Sequence, residues 1–153
     1  MSEQIDYHKI HSLTIFKDLD RQELEKLQRF IFVKNTAKDC FLFSQGMPGE
    51  LLYVIISGRV ELVKNTKDNK KLVLATMGPN AIIGEMSLID SAPRSATGKT
   101  IEDSVMLGIT KKSFNELLDV EPRIAAKIMM GLLKIMSNRL RVTTNAKVDE
   151  ILS

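Results

Sequence analysis

The chain has 153 residues, 44% of them hydrophobic and 27% charged, a balance that excludes a disordered polymer and fits one domain with its own core. The formal net charge is only +3, and no stripe of Lys and Arg interleaved with aromatics indicates a nucleic-acid-binding surface. The single cysteine, Cys40, excludes an internal disulfide and a cysteine-cluster metal site. Because the N-terminus lacks signal-peptide features and no run of about 18 apolar residues occurs, we expect a cytoplasmic protein with no membrane segment.

The first predicted element is a short helix near the N-terminus. Asp18 or Asp20 can cap a helix through residues 21–27, because an aspartate side chain accepts hydrogen bonds from free N–H groups of the first turn. Apolar residues share one face of this segment: Leu24, Leu27 and Phe30. We therefore expect a small helical element before the strands.

A strand-rich middle follows, with short apolar or alternating runs bounded by glycine, proline and Asx signals. The predicted strands are residues 41–43, 51–56, 59–63, 72–75 and 105–109. Cys40 is expected to be a small core residue beside the first of them. A cluster of lysines is interpreted as a solvated hairpin tip: Lys64, Lys67, Lys70 and Lys71. Short strands at this spacing are typical of a sandwich or jelly-roll barrel.

The last predicted element is a long helix that begins at Pro122 and runs for about 27 residues, or about 40 Å. Two neighbouring apolar stripes follow it. One consists of Ile124, Ile128, Leu132, Ile135 and Val142, and the other of Met129, Leu133, Met136 and Leu140. We expect one stripe to pack on the barrel and the other to form a homodimer through residues 122–148; the alternative is a helix that folds back as core, with its methionines as filler. Residues 1–120 then form the barrel domain with its N-terminal helix, and residues 121–153 form the helix of the same domain.

Residues 83–97 combine side chains that can hold a sugar phosphate. Gly84 lets the backbone approach a ligand, and Glu85 can accept a hydrogen bond from a ribose hydroxyl. The turn from Met86 to Leu88 can aim N–H groups at an anion, and the forked guanidinium of Arg94 matches two phosphate oxygens. The bland alternative is a capping glutamate and a surface arginine in an ordinary loop. The candidate ligand-binding residues of this segment are Gly84, Glu85, Met86, Ser87, Arg94 and Ser95.

This segment resembles the phosphate-binding cassette of cyclic nucleotide-binding domains, the family that includes the bacterial catabolite activator and the regulatory subunits of cyclic-nucleotide-dependent kinases. Gly84-Glu85, the run 86–88 and the run 93–96, with Arg94 nine residues after Glu85, fall in the family's order. The resemblance implies a mostly β fold with flanking helices: a double-stranded β-helix (jelly-roll) barrel, short N-terminal helices and a long C-terminal dimerisation helix. Gly46 and Gly58 match glycines at the family's barrel corners, whereas residues 37–39 lack a glycine that is often found there, which implies a wider turn.

Residues 139–148 are similar to the dimer helix of the catabolite activator. By that resemblance Thr143 would contact an adenine bound in its own chain, and Thr144 would reach the base bound in the partner. Arg139 could bridge to Glu85 or to the ligand, or be a surface residue. The implied ligand is cyclic AMP, with cyclic GMP second because the Ser95 hydroxyl could bind either the phosphate or a guanine amine. A cyclic dinucleotide is a further alternative.

No catalytic site can be assembled from these residues. The only histidines, His8 and His11, lie outside the predicted barrel, so neither a metal site of histidines and carboxylates nor a Ser–His–acid arrangement is predicted. We interpret the chain as a binding module rather than an enzyme, with no cofactor besides its ligand. No helix-turn-helix follows the long helix, so the module is expected to be a stand-alone sensor, the sensor fragment of a Crp-type transcription regulator without its DNA-binding domain, or a degenerate, ligand-free scaffold.

Overall fold

Strands occupy the centre of the chain and helices its two ends. The computed structural model describes residues 6–90 and 92–152, apart from the side chain of Ser87. The helices are α1 (Tyr7–His11), α2 (Arg21–Leu27), α3 (Lys111–Val120) and α4 (Pro122–Leu152), and 3-10 turns occur at Thr14–Phe16, Gln28–Phe30 and Glu85–Leu88. The strands are β1 (Phe32–Thr36), β2 (Phe41–Phe43), β3 (Leu51–Ser57), β4 (Val60–Asn65), β5 (Lys71–Met77), β6 (Ile82–Ile83), β7 (Thr97–Thr100) and β8 (Ser104–Thr110).

Over these residues the strands form two antiparallel sheets of four, in the orders β1-β8-β3-β6 and β2-β7-β4-β5. Strands far apart in sequence are neighbours: Phe32 pairs with Gly108, and Phe43 pairs with Gly98. Such winding of two chain segments around one barrel is the jelly-roll topology. The predicted mostly β, jelly-roll fold with flanking helices is therefore confirmed.

All five predicted strands are present, with ends that differ by at most two residues. Three further strands, β1, β6 and β7, have no counterpart among the predictions, and neither does α3. In α3 the Thr110 side chain caps the helix by accepting a hydrogen bond from the Ser113 N–H at 3.0 Å. The helix buries Phe114 and Leu117. Both its N-cap residue and its apolar face are therefore local features that the sequence contains.

The core has two parts, which the alternating side chains of β3 separate. Leu52 and Val54 belong to a cluster shared with the N-terminal helices, α3 and the first half of α4. Tyr53 and Ile55 point the other way, into a smaller cluster that includes Val60. Each fully buried aliphatic side chain contributes about 1.5–3 kcal/mol of hydrophobic stabilisation, so β3 ties the helical layer to the barrel.

The N-terminal helix is capped as one of the two alternatives predicts. Asp20 Oδ1 accepts a hydrogen bond from the Glu23 N–H at 2.8 Å, and Glu23 Oε1 accepts one from the Asp20 N–H at 3.1 Å. Asp18 instead pairs with Lys134 on α4 at 3.3 Å. The predicted apolar face is buried throughout, although Phe30 lies in the following 3-10 turn.

The turns around the barrel mostly follow the predictions. Gly46 and Gly58 have φ angles of 86° and 95°, which glycine adopts at little cost. Asp39 itself takes the left-handed conformation, with φ 65°, which a short polar side chain tolerates. The wider turn at residues 37–39 stays a prediction. The four lysines predicted at a hairpin tip are all exposed, two of them in the β4–β5 connection and two near the adjoining strand ends.

Cys40 is not a core residue. It is half-buried and precedes β2, in the connection between β1 and β2. Its N–H donates to Thr100 Oγ1 at 2.9 Å, and its Sγ faces the Lys38 carbonyl at 3.8 Å. The polar contacts of the turn, rather than apolar packing, thus fix its position.

Helix α4 begins at Pro122, as predicted, and its 31 residues span about 46 Å. Ile124, Ile128 and Leu132 are buried. Val142 belongs to the same predicted stripe but is 61% exposed, because the helix has left the barrel by that point. The predicted second stripe is mostly exposed, with Met136 as the exception that packs partly against the core.

The crossing of α4 over the N-terminal 3-10 turn is unusually close. A Cβ atom at Gly131 would lie 2.8 Å from the Ile15 carbonyl oxygen and 3.2 Å from Ile15 Cα. Glycine is thus required here by the approach of two backbones. In the described part of the chain, neither α4 nor any other helix combines the length and apolarity that crossing a membrane requires.

Candidate functional site

A cavity of about 280 Å³ opens beside the predicted cassette. Of the candidate residues, Gly84, Glu85, Met86, Arg94 and Ser95 line it. Other walls come from distant strands and the adjoining loop, including Phe43, Leu62, Ile83 and Asp90. The fold therefore brings the cassette residues together at one concave surface. The Ser87 side chain lies outside the described part of the structure.

A larger and more open hollow of about 770 Å³ lies between α1 and α2. It is lined by Tyr7, His8, His11 and Arg21, among others. Both histidines are exposed, and Arg21 has a side-chain exposure of 83%. Because its charged groups are solvated, this hollow lacks the desolvated cation found in the smaller cavity.

Gly84 shapes the start of the cassette. Its φ of 82° places it in the left-handed region, directly before the 3-10 turn Glu85–Leu88. Gly84 holds the N-cap position of this turn and has no side chain with which to cap it, and the Glu85 carboxylate pairs with Arg139. A Cβ atom at Gly84 would overlap Arg94 Nη1 and lie 2.8 Å from the Leu51 carbonyl oxygen, so only glycine lets the turn lie against the guanidinium.

Arg94 is the buried cation of the site, with an exposure of 9%. Its Nη2 donates to the Leu51 carbonyl oxygen at 2.6 Å, whereas its Nε has no hydrogen-bond partner among the described residues. Burial lowers the pKa of the Arg94 guanidinium below its usual range, and Tyr53 and Glu85 oppose this effect. Arginine nevertheless stays charged in proteins, and a buried charge without a counter-ion is costly. The site is therefore suited to an anion.

Glu85 is connected to the C-terminal helix. Arg139 Nη1 lies 2.9 Å from Glu85 Oε1, and Arg139 Nη2 donates to the Ile82 carbonyl oxygen at 3.1 Å. The side chains of Arg139 and Glu85 are 39% and 21% exposed, respectively. Of the alternatives for Arg139, the structure shows the bridge to Glu85. This contact links α4 directly to the cassette.

The two threonines of α4 lie apart from the cavity. Thr143 and Thr144 are exposed, and neither is among the cavity-lining residues. The Thr143 hydroxyl donates to the Arg139 carbonyl oxygen at 2.9 Å, a common contact for a threonine within a helix. Their role in contacting a base stays a prediction.

Phe43 is a site residue that is missing from the sequence-based predictions. Its ring centroid lies 4.5 Å from Arg94 Cζ, and its ring lies against Gly98 of β7. Strand β2 contains both Phe41 and Phe43, but its pairing shifts register between them and Phe41 is 62% exposed, so strand alternation does not single out Phe43. Its proximity to Arg94, far along the chain, depends on the pairing of β2 with β7 and has no local signal.

Comparison with known proteins identifies this arrangement. Residues 33–121 match the family model described as the cyclic nucleotide-binding domain. The chain is 28% identical over 137 residues to the CRP-like cAMP-activated global transcriptional regulator of Mycobacterium tuberculosis, a match that covers 90% of this chain and 59% of that protein. The chain thus spans less than two thirds of the length of this relative.

Solved structures agree with this comparison. A cyclic nucleotide-binding domain from Methylobacillus flagellatus has a TM-score of 0.83 and 26% identity, covering 94% of this chain and 83% of that one. The N-terminal domain of a transcriptional regulator from Streptomyces coelicolor has a TM-score of 0.73 and 30% identity, covering 91% and 94%. The predicted family is therefore confirmed: this chain belongs to the cyclic nucleotide-binding domain family, whose Crp-type regulators it resembles.

Proposed function

We propose that this protein is a sensor module that binds cyclic AMP in the cavity beside Arg94 and has no catalytic activity of its own. The observation that carries the proposal is the buried Arg94 guanidinium, whose Nε has no partner among the described residues. A cyclic phosphate supplies one negative charge and two free oxygens, which suits a forked cation. Binding would compensate the desolvated charge of the guanidinium.

Glu85 is proposed to accept a hydrogen bond from the ribose 2′-hydroxyl. A carboxylate offers about four lone-pair directions on its two oxygens. Glu85 can therefore bind the ribose while its Oε1 keeps the contact with Arg139. In this arrangement the nucleotide, the cassette and α4 would share one network of hydrogen bonds.

The preference for cyclic AMP rests on Thr143 and Thr144, whose positions match those that contact adenine in the catabolite-activator type, and on the relative named as cAMP-activated. Cyclic GMP is the second candidate because Ser95, which lines the cavity, offers a hydroxyl to a guanine amine. Replacing both threonines with alanine should reduce the preference between the two nucleotides more than the overall affinity.

The signal is proposed to pass through a homodimer of α4. Met129, Leu133 and Leu140 are 38%, 59% and 68% exposed, and a second copy of the helix would cover them. In such a pair, Thr144 would reach the nucleotide bound in the partner. A ligand that contacts both chains would favour one arrangement of the two helices over another.

Calorimetric titration of nucleotide-free protein with cyclic AMP and cyclic GMP tests the proposal. Arg94→Ala should weaken cyclic AMP binding by about 2–5 kcal/mol, because the phosphate loses its charged partner. Arg59→Ala is the matched control, since Arg59 is 55% exposed, pairs with Glu102 at 3.5 Å and does not line the cavity. Unchanged affinity in Arg94→Ala would refute the role of the cassette, and no binding of either nucleotide would favour the ligand-free scaffold.

A further inference from the structure

We propose that Phe43 is a positioning residue: its ring takes the place of a counter-ion for Arg94 and holds the guanidinium ready for the phosphate. This inference rests on the proposed function for its effect on ligand binding. The contact itself, between the Phe43 ring and Arg94 Cζ at 4.5 Å, is made by the protein chain alone.

Several cations of this chain lie near aromatic rings, and the Arg94 contact differs from the others. The distances for Arg29 over Phe30 and for Lys99 over Phe41 are 4.9 Å and 5.7 Å. Arg29 is exposed and Lys99 is half-buried, whereas Arg94 is 9% exposed. Attraction between a cation and a ring face grows as water is removed. The contact of Arg94 with the Phe43 ring is also shorter than those of Arg21 with Tyr7 and Lys34 with Tyr53, at 5.6 Å and 5.7 Å. It is therefore expected to be the strongest of its kind among the described residues.

The structure makes room for this ring. Phe43 on β2 pairs with Gly98 on β7, after a register shift between Phe41 and Phe43, and a Cβ atom at Gly98 would lie 2.8 Å from Phe43 Cζ. A residue with a side chain at position 98 would push the ring away from the strand. Gly98 therefore lets the ring lie between β7 and the guanidinium, where it also forms a wall of the cavity.

The Phe43 ring also explains how Glu85 can pair with Arg139 while Arg94 lies in the same site. Glu85 attracts Arg94 electrostatically, yet its ion pair is made with Arg139, at 2.9 Å. Because Phe43 stabilises the Arg94 charge without accepting its N–H groups, the Arg94 Nε stays available for a phosphate. Glu85 can then remain paired with α4.

Fluorinated phenylalanines incorporated at position 43 alone test the inference. Fluorine withdraws electron density from the ring face while the ring shape is nearly kept, so a purely structural role would leave binding unchanged. From phenylalanine through 3,5-difluoro- to 3,4,5-trifluorophenylalanine, the Kd for cyclic AMP should rise stepwise, to about tenfold in total. The same series at Phe41, which is 62% exposed and lies near the half-buried Lys99, should leave the Kd unchanged. A flat series at position 43 would overturn the proposal.

A second measurement needs no ligand and so separates this inference from the proposed function. Urea unfolding of Phe43→Leu, Arg94→Met and the double variant forms a cycle. Phe43→Leu should raise the unfolding equilibrium constant about fivefold more when position 94 holds the native arginine than when it holds methionine. Additive effects would overturn the inference even if cyclic AMP binds, and coupling would sustain it even if cyclic AMP does not.

Discussion

Gly84 and Gly46 form a matched pair of substitution sites, because both adopt left-handed φ angles, 82° and 86°. Alanine in this conformation costs about 1–2 kcal/mol. About 0.4–1 kcal/mol of this cost is offset because alanine lowers the conformational entropy of the unfolded chain. Among the described residues other than its two chain neighbours, no atom lies within 4 Å of a Cβ built at Gly46. Its N–H donates to the Arg94 carbonyl oxygen at 2.8 Å, and alanine keeps that donor. Gly46→Ala should therefore lower the free energy of unfolding by about 1 kcal/mol.

Gly84→Ala adds a steric conflict to the same backbone strain. The new Cβ would overlap the Arg94 guanidinium and lie 2.8 Å from the Leu51 carbonyl oxygen. The guanidinium can move, but the backbone oxygen cannot move without disturbing β3, so overpacking should add about 1–3 kcal/mol. The total destabilisation should be about 2–4 kcal/mol.

Urea unfolding measures both variants, and calorimetric titration with cyclic AMP adds a functional readout. Gly84→Ala should also weaken binding, because the displaced guanidinium loses its hydrogen bond to Leu51, whereas Gly46→Ala should bind like the wild type. Equal destabilisation of the two variants, with equal affinities, would refute the close packing of Gly84 on Arg94.

Three further outcomes are expected. A double-mutant cycle of Glu85→Gln and Arg139→Ala, read by urea unfolding, should give a coupling of about 0.5–1 kcal/mol, because the pair is only partly shielded from water; additive losses would contradict the contact. Gly131→Ala should destabilise the protein by about 1 kcal/mol, since overpacking against Ile15 outweighs the gain in helix propensity, and a more stable variant would argue against the close crossing. Leu133→Glu should convert a dimer into monomers in sedimentation velocity without loss of the monomer's fold, and a persistent dimer would exclude this face as the interface.

The predictable parts of this protein are those whose signals are local in sequence. The cassette residues all lie within the short run 83–97, so their spacing alone indicates an anion site. Helix α4 is likewise predicted from its first proline and its apolar period, because both features act within a few turns.

The unpredicted strands owe their structure to their partners. Strand β7 reads Thr-Gly-Lys-Thr and contains no large apolar residue, yet β2 and β4 pair with it from both sides. Strand β6 has only two residues and pairs with β3. Strand propensity depends strongly on the neighbouring strands. The local sequence pattern of one strand does not reveal which strands will pair with it.

The same limit applies within the site. The contact of Arg139 with Glu85 is only one of the alternatives that the sequence allows, because a helix register relative to a barrel is set by packing. In this protein, the close crossing at Gly131 and the burial of Leu132 fix that register. The stack of Phe43 on Arg94 depends in the same way on a strand pairing far from the cassette.

The close crossing at Gly131 also provides a point about which α4 would pivot if it tilted. Every described residue after Arg139 is exposed. The helix therefore packs on the barrel with its first part and extends away from it after Arg139. Arg139 lies about 12 Å along the axis from the crossing, and Leu152 lies about 32 Å from it. A tilt of about 5° about Gly131 would move Arg139 by about 1 Å and the end of the helix by about 3 Å. A displacement of α4 at Arg139 would therefore be more than doubled at the end of the helix.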